Sequence, residues 1–176
     1  HASIMRKDPD FLIAYVVNHI LGSGGFGSRL MEEVREKRGL SYGVYTTLYP
    51  LDQAGVFFGG AATVNDRVSE TIEVVRTELK RMADDGPTAE ELEQAKTYLT
   101  GSYALRFDSY RKIAGQLLAI QREDLGIDYV EKRNDLVNAV TLEDVRRVAR
   151  RIIDADGLIF TIVGRPKAVQ SSGNQG

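Results

Sequence analysis

Cysteine is absent from the 176 residues, and the only histidines are His1 and His19. The first absence removes disulfides and thiolate metal sites, although it does not separate cytoplasm from bacterial periplasm. The second removes a helix-borne zinc site, which needs two imidazoles one turn apart, a carboxylate ligand, and a Glu to serve as base for the water. No metal site is therefore expected in this chain. With so few histidines, Ser23, Ser28 and Ser41 also lack a base that could make one of them a nucleophile. Charge of one sign is missing too: 23 Lys and Arg stand against 25 Asp and Glu, a net charge of −2. That balance offers no electrostatic footprint for nucleic acid. No apolar run approaches the ~20 residues that cross a bilayer, and no basic start leads into an apolar stretch, so no membrane insertion is expected.

Apolar residues at 43% and charged residues at 27% are ordinary for a globular protein. A chain of this length can bury about 70% of its unfolded surface. We expect one α+β domain over residues 1–167 and a polar tail over 168–176, where Gln170-Ser-Ser-Gly-Asn-Gln-Gly176 is rich in glycine and polar residues. The opening His1-Ala-Ser-Ile-Met-Arg does not read as a natural start, and we expect a piece of a larger protein.

Asp8-Pro9-Asp10 followed by Phe11 to Leu21 predicts a capped, mostly buried helix. Tyr42 to Tyr49 alternates, with Tyr42, Val44, Thr46 and Leu48 expected on one face. Pro50 to Gly55 breaks the strand, and Val56 to Thr63 makes an antiparallel partner. Tyr45, Tyr49, Phe57 and Phe58 cluster on this hairpin as core or interdomain surface. Asn65 can cap a helix whose Val68, Ile72, Val75, Leu79 and Met82 form one stripe. Thr88-Ala-Glu-Glu91 is a capping box before Leu92, Ala95 and Leu99. Further helices are expected from Ser109 to Asp124, near Tyr129 to Val137, and after a cap at Thr141. Gly157 to Val163 predicts a closing buried strand. Two strands, several helices and a strand give an α+β fold: an antiparallel sheet with helices packed mainly on one face.

Leu21 to Leu30, a glycine-rich run, leads into Arg35-Glu-Lys-Arg38-Gly39-Leu40-Ser41-Tyr42. Ser28 can cap a helix ending at Arg38, with Gly39 just past its last turn and Leu40 folding back on Val34. Arg35 then lies in the last turn and Tyr42 opens a strand, so a guanidinium and a phenol can both donate to one carbonyl or carboxylate. Spacing alone leaves a plainer reading open, in which Arg35 favours the helix C-terminus and Tyr42 packs in the sheet. Gly22-Ser-Gly24-Gly-Phe-Gly27 also satisfies G-x-G-x-x-G. A nucleotide-binding reading needs a strand before it and an acidic residue about 20 positions on. Residues 11–21 look helical, and Asp52 comes late.

The run LGSGGFGSRLMEEVREKRGLSYGVY resembles the pitrilysin-like zinc metallopeptidases, the group that includes insulin-degrading enzyme and mitochondrial processing peptidase, and specifically their non-catalytic half. A weaker likeness extends from Arg6 through Gly164. The resemblance implies the C-terminal, non-catalytic half of an enzyme that hydrolyses unfolded peptides, with Arg35 and Tyr42 contacting substrate and assisting the oxyanion. Arg38 is the alternative cation. Gly24, Gly25, Phe26 and Ser28 would border the substrate chamber. Zinc and the His-x-x-Glu-His motif would belong to a partner domain or paired subunit, so this chain alone would be inactive. Two alternatives stand beside it: a non-proteolytic scaffold or peptide-binding subunit of the same fold, and a nucleotide-binding module. The family's half opens with a strand that is mostly missing here.

Overall fold

A computed structural model describes residues 1–51 and 53–167, so the tail expected at 168–176 lies outside the described residues. The strands are β1 (Ala2–Ser3), β2 (Ser41–Pro50) and β3 (Gly55–Thr63), and the helices are α1 (Phe11–Asn18), α2 (Val68–Asp84), α3 (Ala89–Gly101), α4 (Tyr110–Arg122), α5 (Tyr129–Asn138) and α6 (Leu142–Ile152). The fold is α+β, with one antiparallel sheet in the order β1-β3-β2.

Val44, Thr46 and Phe57 are buried under the helices, while Tyr45, Tyr49 and Phe58 are exposed on the other face. One side of the hairpin is therefore core, and the aromatic cluster divides between the two sides, as a pleated strand requires. α1 runs through the middle of the molecule, against α6 and β2. Val16, Val17, Leu21, Leu30, Val34, Leu79, Met82, Val145 and Val148 make one continuous core around it. The capping box of Thr88 with Glu91 forms as expected, and the expected cap at Thr141 proves to be a capping box with Asp144.

Other local expectations are corrected. The side chain of Asp10 does not cap α1, because its carboxylate is taken by Arg147 and Arg151 of α6. Asn65 does not cap α2 either, and its Oδ1 accepts the backbone N–H of Arg165. On α4 Ile120 is buried, whereas Leu117, one turn before it, is exposed. Residues 157–163 carry the composition of a buried strand but pair with nothing among the described residues, and Ile159 and Val163 lie in solvent. A strand forms only where a neighbour offers free N–H and C=O groups, and β1 contributes just two residues to that side of the sheet.

Candidate functional site

The glycine loop hangs between two helical turns that are both wound wide. α1 continues into a π-helical turn, His19–Ser23, closed by the Gly24 N–H donating to the His19 carbonyl at 2.9 Å. Beyond the loop, Met31–Glu36 is again π-helical, with the Lys37 N–H donating to Glu32 at 2.9 Å. Such turns are uncommon and recur at functional sites because they re-aim side chains within a helix. The element before the G-x-G-x-x-G run is thus helical, which removes the strand that a dinucleotide site requires and sets that reading aside.

Inside the loop, Ser28 is fully buried. Its hydroxyl donates to the Gly25 carbonyl at 2.8 Å instead of capping the next helix. With no exposed surface, Ser28 shapes the loop from inside. Gly24, Gly25 and Phe26 remain on the surface, and Phe26 is 69% exposed.

The helix ends where Gly39 takes φ +57, a left-handed conformation that glycine adopts without steric cost. The Leu40 N–H donates to the Val34 carbonyl at 2.8 Å, and both residues are buried, so the corner is fixed from inside. Glu33, also buried, accepts from Lys37 at 2.7 Å and from Arg38 at 2.5 Å. Burial alone would raise its carboxyl; the two cations together hold it below the usual carboxylate range. Arg38 is therefore committed to the helix end, and Arg35 is the cation left facing the next strand.

Tyr42 does not share a face with Val44 as the alternation suggested. Ser41 pairs with Thr63 while Val44 pairs with Ala61, so β2 carries one extra residue between them, a β-bulge. The Ser41 hydroxyl is buried in the bulge, 2.7 Å from the carbonyl oxygens of both Gly43 and Ala62, to one of which it donates. The bulge turns Tyr42 outward, and it is 84% exposed. There it meets Arg35, whose guanidinium carbon lies 4.8 Å from the Tyr42 ring centre and 4.5 Å from that of Phe26. A guanidinium held over two aromatic rings is restricted in position, and the Arg35 side chain keeps 26% of its surface exposed. One ion pair, Arg35 Nε to Glu36 at 3.4 Å, completes its surroundings.

Residues 3–99 match the sequence family described as the peptidase M16 inactive domain. The chain belongs to that family. An uncharacterised zinc protease of Bacillus subtilis, YmxG, is 36% identical over 149 residues, which are 80% of this chain and 34% of that protein. The Helicobacter pylori protein named as a non-peptidase homologue, also called YmxG, is 27% identical over 158 residues, 90% of this chain and 36% of that one. The crystal structure of a peptidase M16 inactive domain from Pseudomonas fluorescens superposes with a TM-score of 0.80 at 37% identity, covering 88% of this chain and 36% of that chain. The chain thus spans about a third of the length of the curated relatives it matches. In the zinc proteases of this family the metal belongs to the catalytic domain. Among the described residues of this M16 inactive domain, no group of three or more His, Cys, Asp or Glu stands close enough to hold a metal ion. A zinc ion does not fit the residues present.

Beside the Arg35 stack, a groove of about 460 Å3 runs between the glycine loop and α3, lined by His19, Gly24, Phe26, Gln94, Ala95 and Tyr98 among others. His19 stacks on Tyr98 with ring centres 5.1 Å apart, and burial pushes its imidazole below the usual histidine range. Neither Gln94 nor Tyr98 stood out in the sequence. Their contribution depends on how α3 packs beside the turn at His19–Ser23, which helical periodicity does not encode.

Proposed function

We propose that this chain is the substrate-binding, non-catalytic half of a zinc metalloendopeptidase acting on unfolded peptides. The observation that carries the reading is the Arg35 guanidinium clasped between Phe26 and Tyr42 on an exposed edge of an M16 inactive domain. An extended peptide offers unpaired carbonyl oxygens along its backbone. Arg35 can donate two parallel N–H bonds to such oxygens, and the Tyr42 hydroxyl can donate one to the carbonyl oxygen of the bond under attack. Neither contact reads a side chain, which suits an enzyme that accepts varied sequences. As charge grows on that oxygen during attack, a donor already in place stabilises it without reorganising. The catalytic half, on the same chain or as a paired subunit, supplies the metal chemistry. Residues 1–167 then form one domain of a larger assembly, and the surface of Gly24, Gly25 and Phe26 borders the space in which the peptide lies.

In the complete protein, Arg35→Lys keeps the charge and loses the planar fork. The reading expects KM for an unstructured peptide to rise with little change in thermal stability. An unchanged KM and kcat would return Arg35 to a surface role.

A second reading, a non-proteolytic scaffold or peptide-binding subunit of the same fold, is favoured by the Helicobacter pylori relative that is named as a non-peptidase. The sequence of the other half decides between them: a His-x-x-Glu-His motif there supports the peptidase, and its absence supports the scaffold.

A further inference from the structure

We propose that the groove between the glycine loop and α3 is a specificity subsite taking one large apolar side chain, aromatic or long aliphatic, from the peptide held at Arg35 and Tyr42. The proposal rests on the backbone-binding role argued above and adds to it the side-chain class that the complex prefers.

The first support is the lining. Phe26 is 69% exposed and Tyr98 59% exposed, so two large rings face the same opening with much of their area in water. Apolar area left uncovered in a concave place gains from being covered, at roughly 25 cal/mol per Å2. At about 460 Å3 the groove falls at the lower end of the ~300–1,000 Å3 typical of ligand pockets.

The second support is charge. The two ionisable groups on the groove wall are both neutralised from within. Burial favours the neutral form of His19, and its ring face is engaged by Tyr98. Glu91 accepts from Arg29 Nε, from Arg29 Nη2 at 2.7 Å, and from the Thr88 N–H at 2.7 Å. Arg29 in turn donates to the Gly86 carbonyl at 2.9 Å. The wall itself offers a charged peptide side chain no free counter-charge for the water it loses, whereas an apolar one loses nothing.

The third support is rigidity and position. A side chain at Gly24 would place its Cβ 2.7 Å from the His19 carbonyl oxygen, so the loop is pressed onto the helix end and the groove keeps its shape. Phe26 belongs to both sites: its ring packs on Arg35 and also lines the groove. An extended peptide rises about 3.3 Å per residue and sends alternate side chains to one face. A peptide whose backbone meets Arg35 and Tyr42 therefore brings a side chain to this opening within a few residues.

The test uses the complete protein, with both halves present and treated with a chelator so that no peptide is cut. Four fluorescent peptides, identical but for one central Phe, Leu, Ser or Asp, are titrated and followed by anisotropy. The Phe and Leu peptides are expected to bind at least about tenfold more tightly than the Ser and Asp peptides, the scale of discrimination that apolar pockets achieve. Gln94→Trp, an exposed position on the groove wall, should fill the groove and abolish that preference while leaving the Ser peptide unchanged. Tyr98→Ala should reduce the preference by removing a wall. A wild-type protein without the preference, or two folded variants that both retain it, would overturn the subsite. Arg35→Lys separates this from the backbone role: it should weaken all four peptides alike and keep their ratio. If Arg35→Lys changes nothing while Gln94→Trp removes the preference, the backbone role fails and the subsite stands. If none of the four peptides binds, both fail.

Discussion

The guanidinium carbon of Arg35 lies over two exposed rings, 4.8 Å from the centre of Tyr42 and 4.5 Å from that of Phe26. The three residues come from three different pieces of chain: the glycine loop, a π-wound helix end and a bulged strand. Each needs its own backbone device to arrive there. Phe26→Ala removes one face of the clasp at the cost of a single exposed cation–π contact, about 0.5–1 kcal/mol. The complete protein should therefore keep its fold and lose peptide affinity, because Arg35 gains rotational freedom that binding must then restrict. Peptide KM together with the thermal unfolding midpoint checks this, and a fall in stability with unchanged KM would count against it.

The loop's glycines should differ sharply in their tolerance of alanine. A Cβ at Gly22 would sit 2.7 Å from the Thr46 backbone nitrogen and closer still to its hydroxyl, whereas a Cβ at Gly27 meets nothing within 4 Å. Gly22→Ala is expected to destabilise by about 1–3 kcal/mol through overpacking against β2. Gly27→Ala should fall within about 0.5 kcal/mol of the parent. Denaturant midpoints of the two variants give the comparison, and equal midpoints would show that the turn at His19–Ser23 does not press on β2.

Acid should loosen the start of α1. Arg147 donates two bonds of 2.8 Å to Asp10, and Arg151 grips Asp8 and Asp10 together. Hydrogen bonding from Arg147 brings the Asp10 carboxyl down to about 2, and that from Arg151 lowers Asp8. A carboxylate whose pKa is depressed by folding contributes stability that is fully present above its unfolded value, near 4, and is lost as pH falls through the folded value. Stability should thus decline between about pH 4 and 2. Asp10→Asn should cost about 1 kcal/mol at neutral pH, since the arginines are half exposed, and should flatten the decline. Unfolding midpoints recorded across that range test it. An Asp10→Asn protein with the same acid profile as the parent would place the sensitivity elsewhere.

The sequence made some of this legible through local rules. The capping box at Thr88, the cap at Thr141, the helical stripe of α2 and the glycine corner at Gly39 each follow from contacts between residues a turn or less apart. What period-two alternation could not provide was the position of Tyr42. It grouped Tyr42 with Val44 on one face, whereas one extra residue in β2 puts Ser41 inside and Tyr42 outside. The available signal was Gly43, since glycine inside a strand often marks a bulge. Ser28 and Asn65 were misplaced for a related reason: their side chains found partners in Gly25 and Arg165, and a cap is only one of several bonds such residues can make. Residues 157–163 have a strand's composition, yet a strand also needs a neighbour, which composition does not supply.

The most direct measurement is steady-state kinetics of Tyr42→Phe in the complete, reassembled protein on an unstructured peptide. The substitution keeps the ring that packs on Arg35 and removes only the hydroxyl, and at 84% exposure it should leave stability within about 0.5 kcal/mol. If the Tyr42 hydroxyl donates to the carbonyl oxygen under attack, kcat should fall by about 10²–10³ with an unchanged unfolding midpoint. A folded Tyr42→Phe protein with full kcat and KM would contradict the account.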